Sequence, residues 1–153
     1  ESVKNKIILL DLNYTLVSNQ QATRLLRPFS LRMAKEEYRK DLLDAIQDNY
    51  VVIVTARPEY QKQNTLANIW KKMNWYPAES YFNDINAEPP AFKESALRRF
   101  IFSKHGSAGS QYLAIESNPK TRAMYARYGI EAVPYETFIK NYKKSKIEET
   151  SLF

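Results

Sequence analysis

The sequence predicts an α/β fold, a Rossmann-like parallel sheet flanked by helices. Three observations carry that expectation. Short, wholly apolar runs recur, each closed by a polar residue. Stretches with helical spacing of apolar residues separate them. Cap residues, prolines and a glycine mark where those stretches begin and stop.

Lys6-Ile7-Ile8-Leu9-Leu10-Asp11 and Tyr50-Val51-Val52-Ile53-Val54-Thr55 read as strands buried on both faces, because neither alternates polar with apolar. Gln111-Tyr112-Leu113-Ala114-Ile115-Glu116 has the same form. Residues 129–134 give a fourth strand and residues 79–82 a weaker one. Between them, Leu31, Ala34, Tyr38, Leu42, Ala45 and Ile46 keep to one face at spacings of three and four, which predicts a helix over 31–48. Pro58 opens a second helix running to Met73, with Leu66, Ile69, Trp70 and Met73 on its apolar stripe. A third follows Phe92-Lys93 and carries Ala96, Leu97, Phe100 and Ile101. Asn118-Pro119 supplies a cap and a first-turn proline for the next, and Gly129 supplies its stop. The last helix covers 135–144.

At 153 residues and 44% hydrophobic, the chain is sized for one domain with its own core. It has no cysteine, which excludes a disulfide scaffold, a thiolate nucleophile and a Cys-based metal site. No apolar run approaches the roughly 18 to 20 residues of a membrane span, so a soluble protein without membrane insertion is expected, cytoplasmic or exported as an effector. An opening Glu1 in place of Met fits a domain excised from a longer protein. The net charge of +6 favours anionic ligands, although the basic residues are spread along the chain.

In an open parallel sheet, ligands bind at the carboxyl ends of the strands. Those ends carry Asp11, Thr55 and Glu116, and Lys93 opens a helix between the second and third. Two close carboxylates repel and call for a cation, for which Mg²⁺ is the natural hard metal. Such a site suits phosphoryl transfer: Asp11 as covalent nucleophile, the metal and Lys93 neutralising phosphoryl oxygens, Thr55 donating to them.

This order and spacing resemble the haloacid dehalogenase superfamily of phosphatases. Asp11-Leu12-Asn13-Tyr14-Thr15 matches its first motif D-x-D-x-T, Thr55 the second, Lys93 the third and Glu116-Ser117-Asn118-Pro119 the fourth. The first motif is most similar to that of the magnesium-dependent phosphatase group, whose members act on aryl phosphates and phosphotyrosine. Residues 113–130 are also similar to polynucleotide end-healing phosphatases, which keeps nucleic acid as a partner. The resemblance implies Asp11 as nucleophile and metal ligand, the Asn13 carbonyl as second ligand, Glu116 holding the metal directly or through water, and Thr55 and Lys93 on the transferring phosphoryl group, with Lys93 also restraining the Asp11 carboxylate. It also implies a capless, open site, since neither the stretch after Thr15 nor that before Lys93 holds a cap domain. A monomer acting on a phosphorylated protein or aryl phosphate is expected.

Two positions depart from the pattern. The family's second aspartate, its general acid and base, is Asn13, and an amide does neither job; the loss costs roughly 10²- to 10⁴-fold. An introduced replacement, a natural low-turnover form and a non-catalytic phospho-ligand module all fit it. Ser117 replaces an acidic residue in the fourth motif, leaving Ser117 or Asn118 to assist the metal through water. Plainer roles exist for other residues. Arg57 either greets a phosphate or is a solvated turn arginine. Residues 17–29, with Arg24 and Arg27, form a substrate-facing flap or a surface loop. His105 reads as a loop histidine, Ser107 to Ser110 as a turn, and Trp70, Trp75, Tyr76 and Phe82 as packing residues.

Overall fold

The computed structural model describes residues 3–151. Strands β1 (Ile7–Leu10), β2 (Tyr50–Pro58), β3 (Glu79–Asn83), β4 (Tyr112–Ile115) and β5 (Glu131–Val133) form a parallel sheet in the order β3-β2-β1-β4-β5. Ile8 pairs with Val51 on one side and Leu113 on the other, so β1 is the central strand. All five expected strands are present. The chain winds outward through β2 and β3, then returns to the other side of β1 through β4 and β5. The crevice between β1 and β4 is therefore the switch point where such folds bind ligands.

Because side chains alternate along a strand, each face of the sheet has its own core. Ile8, Leu10 and Ile53 pack on one face with Leu42 and Ile46 of α3 (Lys40–Ile46), Leu66 and Ile69 of α4 (Lys62–Met73) and Phe138 of α8 (Tyr135–Ser151). Leu9, Val52 and Val54 face Phe92 and Ala96 of α5 (Pro89–Ala96) and Met124 and Tyr125 of α7 (Pro119–Arg127). Each fully buried Leu or Ile contributes about 1.5–3 kcal/mol, which explains the unbroken apolar strands. No helix among the described residues is long and apolar enough to cross a membrane.

The helices correct the sequence reading in several places. The 31–48 helix is two, α2 (Phe29–Lys35) and α3, with Glu36 extended between them. Contacts distant in sequence break it. Lys72 Nζ donates to the Ala34 carbonyl and Asn68 Nδ2 to that of Met33, both at helix-end oxygens. Ser18 N–H then bonds Glu37 O, Arg39 N–H bonds Leu16 O, and Val17 bridges Tyr38. Together with α1 (Gln20–Thr23), this ties residues 17–39 into a small flap. Leu31, expected on an apolar face, is exposed there.

Pro58 ends β2 rather than opening a helix; a 3-10 turn, Glu59–Gln61, precedes α4. The third helix starts at Pro89, whose fixed φ suits a first turn, so Lys93 lies inside it rather than at its start. Phe82 is core and Trp75 packs against it, but Trp70 and Tyr76 are exposed, and Phe100 stacks on Tyr81 at the surface. His105, at the end of α6 (Phe102–His105), is paired, its Nε2 2.6 Å from Glu79 Oε2. The last helix extends to Ser151, beyond the expected 144. Gly129 has φ +75°, the left-handed stop expected after α7.

Candidate functional site

Beyond β1 the chain turns through Leu12–Leu16, where Asn13 is extended and Tyr14 has φ 64°. A tyrosine held in the left-handed region costs about 1–3 kcal/mol, and such strain gathers at functional sites. The turn brings the Asp11 carboxylate and the Asn13 carbonyl to one point. Ser117 Oγ stands 2.8 Å from Asp11 Oδ2 and 3.2 Å from Asn13 O. Thr15 Oγ1, at 2.9 Å, also donates to Asp11 Oδ2.

Lys93 reaches from α5 under the crevice. Its ammonium, fully buried, bonds Asp11 Oδ1 at 2.8 Å and Glu116 Oε1 at 2.7 Å. Glu116 follows β4 directly, and its Oε2 accepts the Asn118 N–H at 3.0 Å. Burial would lower Lys93, but the charges of Asp11 and Glu116 raise it. Burial, then the Asp11 charge, pushes Glu116 up to about 7 against the pull of Lys93. Two carboxylates and one ammonium leave the cluster short of positive charge.

The fit of a hard cation follows from these oxygens. No group of three or more His, Cys, Asp or Glu assembles among the described residues. Asp11 Oδ2 and Asn13 O nevertheless converge, the Ser117 hydroxyl stands between them, and Glu116 adjoins through Lys93. An all-oxygen set with excess negative charge is what Mg²⁺ takes, completing its shell with water. The Asn118 side chain does not join them; its Oδ1 caps α7, accepting from Lys120 N and Thr121 N.

Thr55 is buried toward the carboxyl end of β2, and its Oγ1 accepts the Arg57 N–H at 3.2 Å. Among the described residues no acceptor takes the hydroxyl proton. Asn13 Oδ1 accepts from Arg57 Nε at 3.1 Å and Nη2 at 2.9 Å. Arg57 is thus no solvated turn residue: it is buried, bonded to Thr65 Oγ1 and ion-paired with the buried Glu36. Sequence reasoning missed Glu36 altogether. A carboxylate among the apolar residues of a supposed helix was its one signal. Beside Ser117 a cavity of about 850 Å³ opens, lined by Tyr14, Arg39, Pro89, Lys120 and Tyr135, with Arg39 stacked 3.9 Å over the Tyr135 ring.

No family model matches the chain, and no curated protein matches it. Among solved structures it is similar to a chain of the Pnkp1/Rnl/Hen1 RNA repair complex, at 12% identity over 88% of this chain, with a TM-score of 0.66. It spans only 43% of that chain's length. A phosphoserine phosphatase in apo form aligns at 11% identity over 86% of this chain and 94% of that one, with a TM-score of 0.49. The likeness to the RNA repair chain shows a shared fold.

Proposed function

We propose that the chain is a Mg²⁺-dependent phosphomonoester phosphatase of the haloacid dehalogenase type, acting through an aspartyl-phosphate on Asp11. One observation carries the reading: a buried Asp11 held by Lys93 and Ser117 at the switch point, beside Glu116 and the Asn13 carbonyl. An Asp11 oxygen attacks phosphorus, the ester P–O bond breaks, and its electron pair leaves with the alkoxide or phenolate. Lys93 keeps the attacking carboxylate oriented and offsets charge, while the Thr55 hydroxyl donates to a phosphoryl oxygen. Mg²⁺, when held by Asp11, Asn13 O and Glu116, supplies further neutralisation of the phosphoryl charge. Water then attacks phosphorus to release phosphate and restore Asp11.

Asn13 neither protonates the leaving group nor activates that water, and its amide oxygen is occupied by Arg57. A phenolate departs without an acid better than an alkoxide does. Aryl phosphates and phosphotyrosine-like protein substrates therefore suit this site, and the cavity beside Ser117 supports an exposed phosphate entering without a cap. A second reading, a phosphatase of nucleic-acid ends, is favoured by the fold shared with the RNA repair chain.

Hydrolysis of p-nitrophenyl phosphate with and without Mg²⁺, by this chain and by Asn13→Asp, tests the proposal together with intact-mass detection of covalent phosphate. The expected result is Mg²⁺-dependent turnover that rises about 10²- to 10⁴-fold in Asn13→Asp, with phosphate retained on the unaltered chain. Folded proteins that neither turn over nor carry phosphate would replace it with a non-catalytic phospho-ligand module.

A further inference from the structure

Beside Asn13, Arg57 of β2 and the arginines of the flap that meets it at Glu36 carry guanidinium charge that nothing in the proposed reaction uses. Arg57 bonds Asn13 Oδ1 and pairs with Glu36. Arg32 Nε stands 3.9 Å from the same Glu36 oxygen, beyond hydrogen-bond reach, and is a buried polar atom without a hydrogen-bond partner. Arg32 Nη1 and Arg27 Nη1 converge on one acceptor, the Arg24 carbonyl, at 3.5 and 3.0 Å. Three guanidiniums thus run outward from residue 13 in the order Arg57, Arg32, Arg27. Glu36 is the one carboxylate ion-paired with any of them among the described residues. Phe29 stiffens the row, with Arg32 and Arg57 both over its ring at 5.7 and 5.4 Å. Burial and the like charges of Arg57 and Arg27 lower Arg32, as expected of cations gathered without enough counter-charge.

Beyond the Arg57–Glu36 pair, like charges this close repel one another. An arginine row with a deficit of carboxylates is suited to an anion, and the planar fork of guanidinium matches phosphate oxygens in pairs. We infer that Arg27 and Arg32 bind the phosphodiester next to the terminal phosphate of a nucleic-acid end, while Arg57 stays committed to Asn13 and Glu36. This rests on the second form of the Asp11 phosphatase reading, a phosphatase of nucleic-acid ends, and names the residues that would hold the rest of that substrate. An aryl phosphate has no second anion, and a phosphopeptide has one only in some sequences. A nucleic-acid end has one next to every terminal phosphate. The net charge of +6 and the fold shared with the RNA repair chain point the same way.

The test is binding, read without turnover. A fluorescent, terminally phosphorylated single-stranded oligonucleotide is titrated in chelator, across a range of salt, into the unaltered chain, Arg27→Ala with Arg32→Ala, and Arg27→Lys with Arg32→Lys. Circular dichroism reports folding. Arg27 is exposed, so Arg27→Ala alone provides a variant free of core disturbance. The expected result is at least a tenfold loss of affinity in the double alanine variant. The slope of log affinity against log salt should fall by about 0.7 for each contact removed, with the slope kept in the lysine variant. Unchanged affinity and slope in folded alanine variants would overturn the inference. So would tighter binding of an acidic phosphopeptide than of the oligonucleotide. Activity separates the two levels of the argument. If p-nitrophenyl phosphate is not hydrolysed and Asp11 is never phosphorylated, while the arginine-dependent salt slope persists, then the phosphatase reading fails and the flap site stands.

Discussion

Two buried ionic clusters meet at Asn13, and they are unbalanced in opposite senses. On the β4 side, the Lys93 ammonium serves two carboxylates, Asp11 and Glu116. On the flap side, the Glu36 carboxylate serves Arg57 directly and Arg32 at longer range, with Arg27 beyond. A protein interior tolerates charge only when it is paired and hydrogen-bonded. The leftover sign in each cluster is what the two proposals rest on: a cation beside Asp11 and an anion along the flap. On the reading proposed above, a phosphorylated substrate with its metal would satisfy both at once.

The largest effects come from breaking one pair in each cluster. Lys93→Met leaves two carboxylates buried without their ammonium, and Glu36→Gln leaves Arg57 without its carboxylate. Each should cost about 3–5 kcal/mol in urea unfolding. The comparison sharpens with metal. Millimolar Mg²⁺ should recover part of the lost stability in Lys93→Met, because the ion meets the same carboxylate charge, and none in Glu36→Gln. Equal recovery in both variants would mean that Mg²⁺ acts on the fold generally and that the two clusters do not differ in the sign of their unpaired charge.

The negative cluster was legible in the sequence, whereas of the positive one Arg57 and Arg27 were singled out but not the Glu36 that pairs with Arg57, for a physical reason. Asp11 and Glu116 follow unbroken apolar runs, and such runs end where the backbone leaves the sheet, so strand ends and their carboxylates are read together. Lys93 was found through the family pattern, although its helix begins at Pro89. Glu36, and with it the pairing of Arg57, escaped because that partnership depends on the break between α2 and α3. That break is made by Lys72 and Asn68 of α4 and by Ser18 of the flap, residues that no local periodicity connects. The same periodicity misplaced Trp70, since an apolar residue at helical spacing need not face the core when a neighbouring element does not cover it.

A third cluster, at the amino edge of the sheet, pairs Glu79 with the Lys104 ammonium at 3.5 Å and serves as the control. Glu79 accepts from Tyr50 at 2.5 Å, Tyr81 at 2.6 Å and His105 at 2.6 Å. Burial pushes this carboxyl up, but those hydrogen bonds outweigh it and bring it down to about 2 from 4.5. A depressed folded-state value means that the stabilisation is complete above pH 4.5 and is lost as pH falls toward 2. Glu79→Gln should flatten the pH dependence of unfolding free energy within that window and leave it unchanged near pH 7 and above. Neither Mg²⁺ nor oligonucleotide should alter the difference between Glu79→Gln and the unaltered chain, because this cluster leaves no charge unanswered.

The smallest effect tests the edge of the negative cluster. Asn118 stands two residues from Glu116, but its side chain caps α7 while only its backbone N–H reaches the carboxylate. Asn118→Ala removes the cap bonds and keeps that N–H, so unfolding should become easier by about 1 kcal/mol. Asn118→Asp, an equally good cap, should recover it. The stabilisation conferred by Mg²⁺ should be the same for the unaltered chain and Asn118→Ala, since the side chain contributes nothing to the oxygens around Asp11. A metal response that weakens with the cap would instead draw Asn118 into the cation site and place the boundary of the negative cluster one residue further into the helix.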